Sequence, residues 1–193
     1  MSGEDASDAI LTAAETCFER FGITKTTMED VARAAEVSRA TVYRCFADRD
    51  SLIMASVMRR ARSRHAEARA YIENWPSLAD RVVEGMVHDV LRGRRDPMMH
   101  LLVSPEEMEL STQLLWRSGE AVRLTGELWA PVLQDAQRLG ELSRDVDIVL
   151  LTEWIAELEM TFISQSDGSD ESVDRFRAKL RAFLVPSLLP RLD

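Results

Sequence analysis

The chain has 193 residues, 46% hydrophobic and 6% aromatic, with 33 acidic against 24 basic side chains and a formal net charge of −9. That length supports a buried core in one or two domains, and no stretch approaches the roughly 20 apolar residues a membrane-crossing helix needs. The opening MSGEDASDAI is acidic and polar, unlike a secretion signal. The two cysteines, Cys17 and Cys45, form neither a disulfide framework nor a zinc cluster. A cytoplasmic protein is expected, with no membrane partner, no metal and no cofactor.

Few glycines or prolines interrupt the pattern, and no run alternates as a strand would, so an all-α fold is expected. Ile10, Leu11, Ala14, Cys17, Phe18 and Phe21 recur on one helical face, and Gly22 follows as a stop. Thr27, with Asp30 three residues on, is a capping start for a two-turn helix carrying Met28, Val31, Ala32 and Ala35. Glu36-Val37 links it to Ser38, a second capping residue, and a helix to about Phe46. Asp48 opens a long basic helix bearing Leu52, Ile53, Val57, Arg59, Arg60, Arg62 and Arg64.

Beyond it, Asn74-Trp75-Pro76-Ser77 breaks the chain, and Ser77 with Asp80 begins a helix to about Arg94. Asp96-Pro97 ends that segment ahead of the apolar stretch Met98 to Val103. Ser104-Pro105-Glu106-Glu107 is another start signal. Ala121, Leu124, Leu128, Val132, Ala136 and Leu139 share a face of a further helix, closed by Gly140, and the Pro131 within it is expected to kink or split it. Ile148, Leu151, Ile155, Leu158 and Phe162, then Val173, Phe176, Leu180 and Phe183, give two apolar seams separated by a polar loop. Each seam packs either on the domain's own core or against a second copy as a four-helix homodimer interface.

Charge is unevenly distributed. Residues 1–65 carry ten basic and ten acidic side chains, so the whole −9 lies in residues 66–193. Residues 33–65 hold eight arginines against Glu36, Asp48 and Asp50, and this local positive charge is either a solvated face or an attraction for a polyanion.

The segment from Thr27 to Leu52 carries the chemistry. Two short helices on a tight link form a helix-turn-helix pattern. Ala32 and Ala35 are small enough for a close crossing, and Val37 and Val42 supply the apolar plug. Arg39, Thr41, Tyr43 and Arg44 are left facing outward, a donor set that suits the roughly 12 Å wide major groove.

Residues 10–60, above all TTMEDVARAAEVSRATVYRCFADRDSL, resemble the N-terminal DNA-binding domain of the tetracycline-repressor (TetR) family of transcriptional regulators. The resemblance implies a helix-turn-helix domain over residues 1–47 and a helical ligand-binding and dimerising domain over residues 48–193. It implies phosphate contacts from Thr27, Tyr43 and Arg49, and base contacts from Arg39, Ala40, Thr41 and Arg44 on the helix that Ser38 starts. Arg39 and Arg44 are the specificity candidates, each either reading guanine or neutralising a phosphate. Two positions depart from the family pattern. Glu36 stands where Gly is common, at a place that tends to positive φ, and Cys45 stands where an aromatic or His is usual.

The remaining constellations are sparse. His65, His88 and His100 have no metal-ligand spacing, and His88 shares a face with Arg81, Glu84 and Arg92 that reads as solvated. Cys45 lacks an evident activator or resolving thiol for redox sensing, and Glu106 and Glu107 are explained by helix capping. No phosphate-loop, nucleophile-elbow or zinc-protease motif occurs. Met86, His100, Met108, Trp116, Trp129 and Trp154 are either ordinary core or the lining of a cavity for a small apolar effector. The reading is a non-enzymatic regulator: a homodimer that represses from a palindromic double-stranded operator and is released by that effector. Its rivals are an interaction protein with a degenerate DNA-binding head and an enzyme built on the helical bundle.

Overall fold

The computed structural model describes residues 3–102, 104, 109 and 119–190, and every element among them is helical. Internal contacts divide the chain into two units, residues 1–63 with 96–118, and residues 64–95 with 119–193. The start signal expected at Ser104-Pro105-Glu106-Glu107 falls almost wholly outside the described residues.

The first unit contains α1 (Gly3–Phe21), α2 (Met28–Ala34), α3 (Arg39–Cys45), α4 (Arg49–Arg62) and, after the excursion into the second unit, α7 (Pro97–Leu102). Ile10, Ala14 and Phe18, spaced four apart, place their side chains wholly inside, and α1 packs on α2, α3, α4 and α7. Opposing core comes from Ile23, Val31, Val42, Leu52 and Ile53. Asp48 caps α4 through a reciprocal pair: its Oδ1 accepts from the Ser51 amide at 2.7 Å, and Ser51 Oγ accepts from the Asp48 amide at 3.2 Å.

The basic helix expected to run to Arg64 ends at Arg62, and α5 (His65–Glu73) begins separately in the second unit. Two of its arginines point inward to acids. Arg59 pairs with Glu15 at 2.8 Å, and Arg60 reaches Asp96 at 2.9 Å and Glu19 at 3.0 Å. Asp96 is almost fully buried and also accepts from the Met98 and Met99 amides at 2.8 and 3.1 Å, capping α7. A buried carboxylate with this many partners is stable only as a set. Deleting one partner of such a pair costs roughly 3–5 kcal/mol.

The second unit is built from α5, α6 (Leu78–Arg95), α8 (Glu120–Leu139), α9 (Ile148–Gln165), α10 (Asp170–Lys179), one π-helical turn (Leu180–Leu184) and α11 (Val185–Leu188). Ser77 Oγ accepts from the Asp80 amide at 3.1 Å at the start of α6, as its sequence predicts. Asp147 caps α9 and Ser169 caps α10. Asp167 accepts from the Ser172 hydroxyl at 2.6 Å and the Ser169 amide at 2.9 Å, and these bonds hold its carboxyl down to about 2. Glu84, nearly buried on α6, takes the Arg177 guanidinium on both oxygens at 2.9–3.1 Å, tying α6 to α10.

Two expectations are corrected. Pro131 does not split α8, which continues unbroken to the left-handed Gly140. Proline removes the hydrogen bond that the Glu127 carbonyl would accept, and Arg69 Nη2 donates to that carbonyl instead at 3.2 Å. The seam Val173–Phe176–Leu180–Phe183 also changes register. The buried row is Val173, Phe176, Leu180, Leu184 and Leu188, while Phe183 is 73% exposed. The wide turn at Leu180–Leu184 has more than four residues per revolution, so the next inward position after Leu180 is the fourth residue rather than the third.

No helix among the described residues is long and apolar enough to cross a membrane. Nor do those residues bring together three or more His, Cys, Asp or Glu side chains to hold a metal ion.

Gly85 lets α6 meet the wholly buried Trp129. A Cβ added there would lie 2.6 Å from the indole and 2.7 Å from Ile72, which is equally buried. Gly85→Ala would gain about 1 kcal/mol of helix propensity and lose about 1–3 kcal/mol to overpacking. Urea denaturation should therefore show a net loss of about 1 kcal/mol; a gain would mean that the indole shifts freely.

Candidate nucleic-acid interface

The joint between α2 and α3 sets the geometry of the first unit's surface. Thr27 caps α2 in a reciprocal box, with its hydroxyl accepting from the Asp30 amide at 3.2 Å and the Asp30 carboxylate accepting from the Thr27 amide at 3.2 Å and hydroxyl at 2.7 Å. The Thr27 hydroxyl and amide hold the Asp30 carboxyl below its ordinary range. At the other end of α2 the chain reverses within three residues. The Ala35 amide donates to the Val31 carbonyl at 2.9 Å, Glu36 adopts φ 56°, and the Val37 amide donates to the Ala32 carbonyl at 3.0 Å. Glu36 thus takes the left-handed conformation that the resemblance implied for this position.

Ser38 then starts α3, accepting from the Thr41 amide at 3.1 Å. Val42 is wholly buried against the rest of the unit, which turns Arg39, Ala40, Tyr43 and Arg44 to solvent, with Thr41 partly covered. Tyr43 stands 41% exposed, and its hydroxyl accepts from Arg39.

The arginines of this surface are in different states. Arg39 lies with its guanidinium 5.3 Å from the centre of the Tyr43 ring, donates to the Tyr43 hydroxyl at 3.4 Å and forms an ion pair with Glu29 of α2. The bonds to Tyr43 and Glu29 raise its pKa further. Arg33 pairs with Asp30 at 3.3 Å. Arg44 has no ion pair or hydrogen-bond partner among the described residues. Arg49 turns inward, donating from Nε to the Thr26 carbonyl at 3.0 Å and from Nη2 to the Ile23 carbonyl. It braces the loop before α2. Cys45 ends α3 half-buried, as a free thiol.

The remaining sequence candidates lie mostly in the second unit. Met86 and Trp129 are wholly buried. Trp154 is outward, on a groove of about 470 Å³ that it shares with Leu158, Phe162, Phe176, Phe183 and Leu184. Met108, Trp116 and the side chain of His100 lie outside the described residues. Of the proposed seam, Leu151, Ile155, Val173, Phe176 and Leu180 are buried within their own unit, Ile148, Leu158 and Phe162 are half-buried, and Phe183 is exposed. The exposed Val149 and Leu150 add to the apolar surface of α9.

His88 is not the solvated residue its helix face suggested. It stacks on Tyr71 of α5, with centroids 4.2 Å apart, and its Nδ1 lies 3.4 Å from Asp89. Tyr71 arrives from another helix, so the sequence spacing within α6 carried no sign of it.

A capped two-turn helix, a three-residue reversal and a second helix with an exposed basic, aromatic face define a helix-turn-helix DNA-binding protein. Residues 10–55 match the family model described as bacterial regulatory proteins, tetR family. Over those residues the chain is similar to that family, and its relatives are HTH-type transcriptional regulators. It is 26% identical over 189 residues to the HTH-type transcriptional regulator Rv1255c of Mycobacterium tuberculosis strain H37Rv, covering 97% of this chain and 87% of that protein. It shares its fold with RolR in complex with resorcinol, at a TM-score of 0.73 and 17% identity, over 99% of this chain and 98% of the other. It shares it also with the TetR family repressor AlkX from Dietzia sp. strain DQ12-45-1b, implicated in n-alkane biodegradation, at 0.69 and 24% identity, over 92% of each chain.

Glu36 stores strain at the joint. A left-handed conformation costs an ordinary L-residue roughly 1–2 kcal/mol. Glu36→Gly should raise unfolding free energy by about 1 kcal/mol in chemical denaturation; a loss would mean that the Glu36 side chain makes a compensating contact.

Proposed function

We infer that the protein is a repressor that binds a palindromic DNA operator as a homodimer and is released by a small effector with an apolar body. In this reading residues 1–47 are the DNA-binding part and residues 48–193 the ligand-binding and dimerising part, working in the cytoplasm. The observation that carries it is the outward face of α3. Arg39, Thr41, Tyr43 and Arg44 stand side by side on a helix narrow enough for the major groove, and Val42 anchors its back. Arg44 has no competing partner among the described residues, which leaves its donors available to guanine O6 and N7. Thr27 presents the N-terminus of α2, where amide groups suit a phosphate.

Dimerisation is supported by the groove that Trp154, Leu158, Phe162 and Phe183 line. Exposed aromatic surface of this kind is costly in water and is relieved by a second copy. Two α3 helices must then lie about 34–36 Å apart, or a multiple of that, to enter successive grooves. Release by an effector bound in the second unit draws support from RolR, which holds resorcinol.

Two measurements test the reading. Selection from a random DNA pool should recover a palindrome, lost with Tyr43→Ala/Arg44→Ala protein; in the recovered site, Arg44→Ala alone should relax preference at particular bases by roughly 1–3 kcal/mol. Uniform weakening across sequences would make Arg44 a phosphate contact, and no enrichment over the control by folded protein would reject sequence-specific binding. For the dimer, Phe183→Asp combined with Trp154→Asp should give monomers in sedimentation equilibrium, and an intact dimer would move the interface elsewhere. These exposed positions suit the test better than Phe176, whose burial makes a charge there disruptive to folding.

A further inference from the structure

Arg39 and Arg44 leave the same short helix, yet only Arg39 is held. Its guanidinium lies 5.3 Å from the centre of the Tyr43 ring, one turn along α3, and donates to the Tyr43 hydroxyl at 3.4 Å. The second hold comes from another helix: Glu29, in the first turn of α2, forms an ion pair with Arg39 Nη1. The Thr27 box places Glu29 and the reversal at Glu36 places α3, so the carboxylate meets Arg39 at a position that the fold sets. Arg44 has no such partner among the described residues.

The Glu29–Arg39 pair adds little to folding. Its side chains are 46% and 59% exposed, and an ion pair so open to water is weak. Nor does it favour a polyanion as such, because a carboxylate two residues beyond Thr27 repels approaching phosphates. What the pair changes is the freedom of Arg39. An unheld arginine on a helix surface samples many rotamers, and phosphate oxygens and base edges both accept from it. Between Glu29 and Tyr43 the guanidinium is confined, its charge is answered, and two of its five N–H donors are taken. The remaining three suffice for a paired contact to guanine O6 and N7. Water leaving the interface on docking lowers the local dielectric and strengthens the pair.

We propose that Glu29 is a positioning residue for sequence recognition: from α2 it holds the Arg39 guanidinium toward a base edge and away from the DNA phosphates. Arg39 is then a base reader whose charge is already balanced, and Tyr43, whose oxygen accepts from Arg39, keeps its own O–H for a phosphate. The inference rests on the reading of α3 as the helix that enters the major groove. It adds a residue of α2 that governs specificity without touching a base.

The test is binding of the full chain to the selected operator and to its single-base variants, using wild type, Glu29→Gln, Arg39→Ala and the double variant. Arg39→Ala identifies the base position that Arg39 reads. At that position Glu29→Gln is expected to reduce discrimination by about fivefold or more, while positions that respond to Arg44→Ala stay within about twofold. With Arg39→Ala already present, Glu29→Gln should alter no base preference, because the side chain it acts through is gone. On random-sequence duplex, Glu29→Gln should bind tighter, with the slope of log affinity against log salt steeper by about 0.9, one further phosphate neutralised. Wild-type discrimination at every position, an equal loss at all positions, the same loss without Arg39, or unchanged binding to random duplex would each overturn the proposal and leave Glu29 a structural acid of α2. An Arg39→Ala protein with wild-type base preferences would overturn it too, by making Arg39 a phosphate contact. Failure to select any operator would remove sequence-specific binding and this inference with it; an operator whose preferences ignore Glu29 would remove the inference alone.

Discussion

The reversal between α2 and α3 governs what this protein can present to DNA. Three residues must close one helix, turn the chain and cap the next, with Val42 still reaching the core. Glu36 absorbs the turn by adopting φ 56°, which brings the Val37 amide to the Ala32 carbonyl at 3.0 Å and sets Ser38 to cap Thr41. If that residue relaxed into the right-handed region, α3 would leave its axis and the four outward side chains would lose their common face. A backbone conformation at one residue therefore controls the direction of a seven-residue helix.

Charge on the first unit follows a similar economy. The arginine-rich stretch looks like a polyanion-binding surface by count, but most of the described cations have internal assignments. Arg59 and Arg60 bind Glu15, Glu19 and Asp96, Arg49 binds two carbonyls, Arg33 binds Asp30 and Arg39 binds Glu29. Salt dependence of DNA binding scales with phosphates neutralised, at about 0.9 per phosphate. A surface with so many paired arginines has fewer guanidinium groups open to phosphates than its composition suggests. Glu29 has a further effect here: between its carboxylate and the Tyr43 ring, the Arg39 guanidinium is already oriented.

Local chemistry was legible in the sequence and tertiary chemistry was not. Thr27, Ser38, Asp48 and Ser77 cap helices as their sequence predicts, because a cap is made with an amide two or three residues away. The buried alternation of α1 and the outward face of α3 follow from periodicity alone. His88 was misread because its partner Tyr71 sits on another helix. Of the kink or split that Pro131 predicts for α8, the split does not occur, and the Arg69 guanidinium that donates to the Glu127 carbonyl is too distant in sequence to be read beside it.

The π-helical turn at Leu180–Leu184 separates two functions that one helix would ordinarily couple. In an unbroken α-helix, the residue that faces inward after Leu180 and the residue that faces outward are fixed together by the same 100° step. The wider turn lets Leu184 and Leu188 continue the interior row while Phe183 stays exposed at the groove it shares with Trp154. One residue removed from this turn would rotate everything after it by about a quarter of a revolution, driving apolar side chains out and polar ones in. The same geometry leaves Phe183 outside the interior row, so its ring can be exchanged for another while Leu180, Leu184 and Leu188 stay buried.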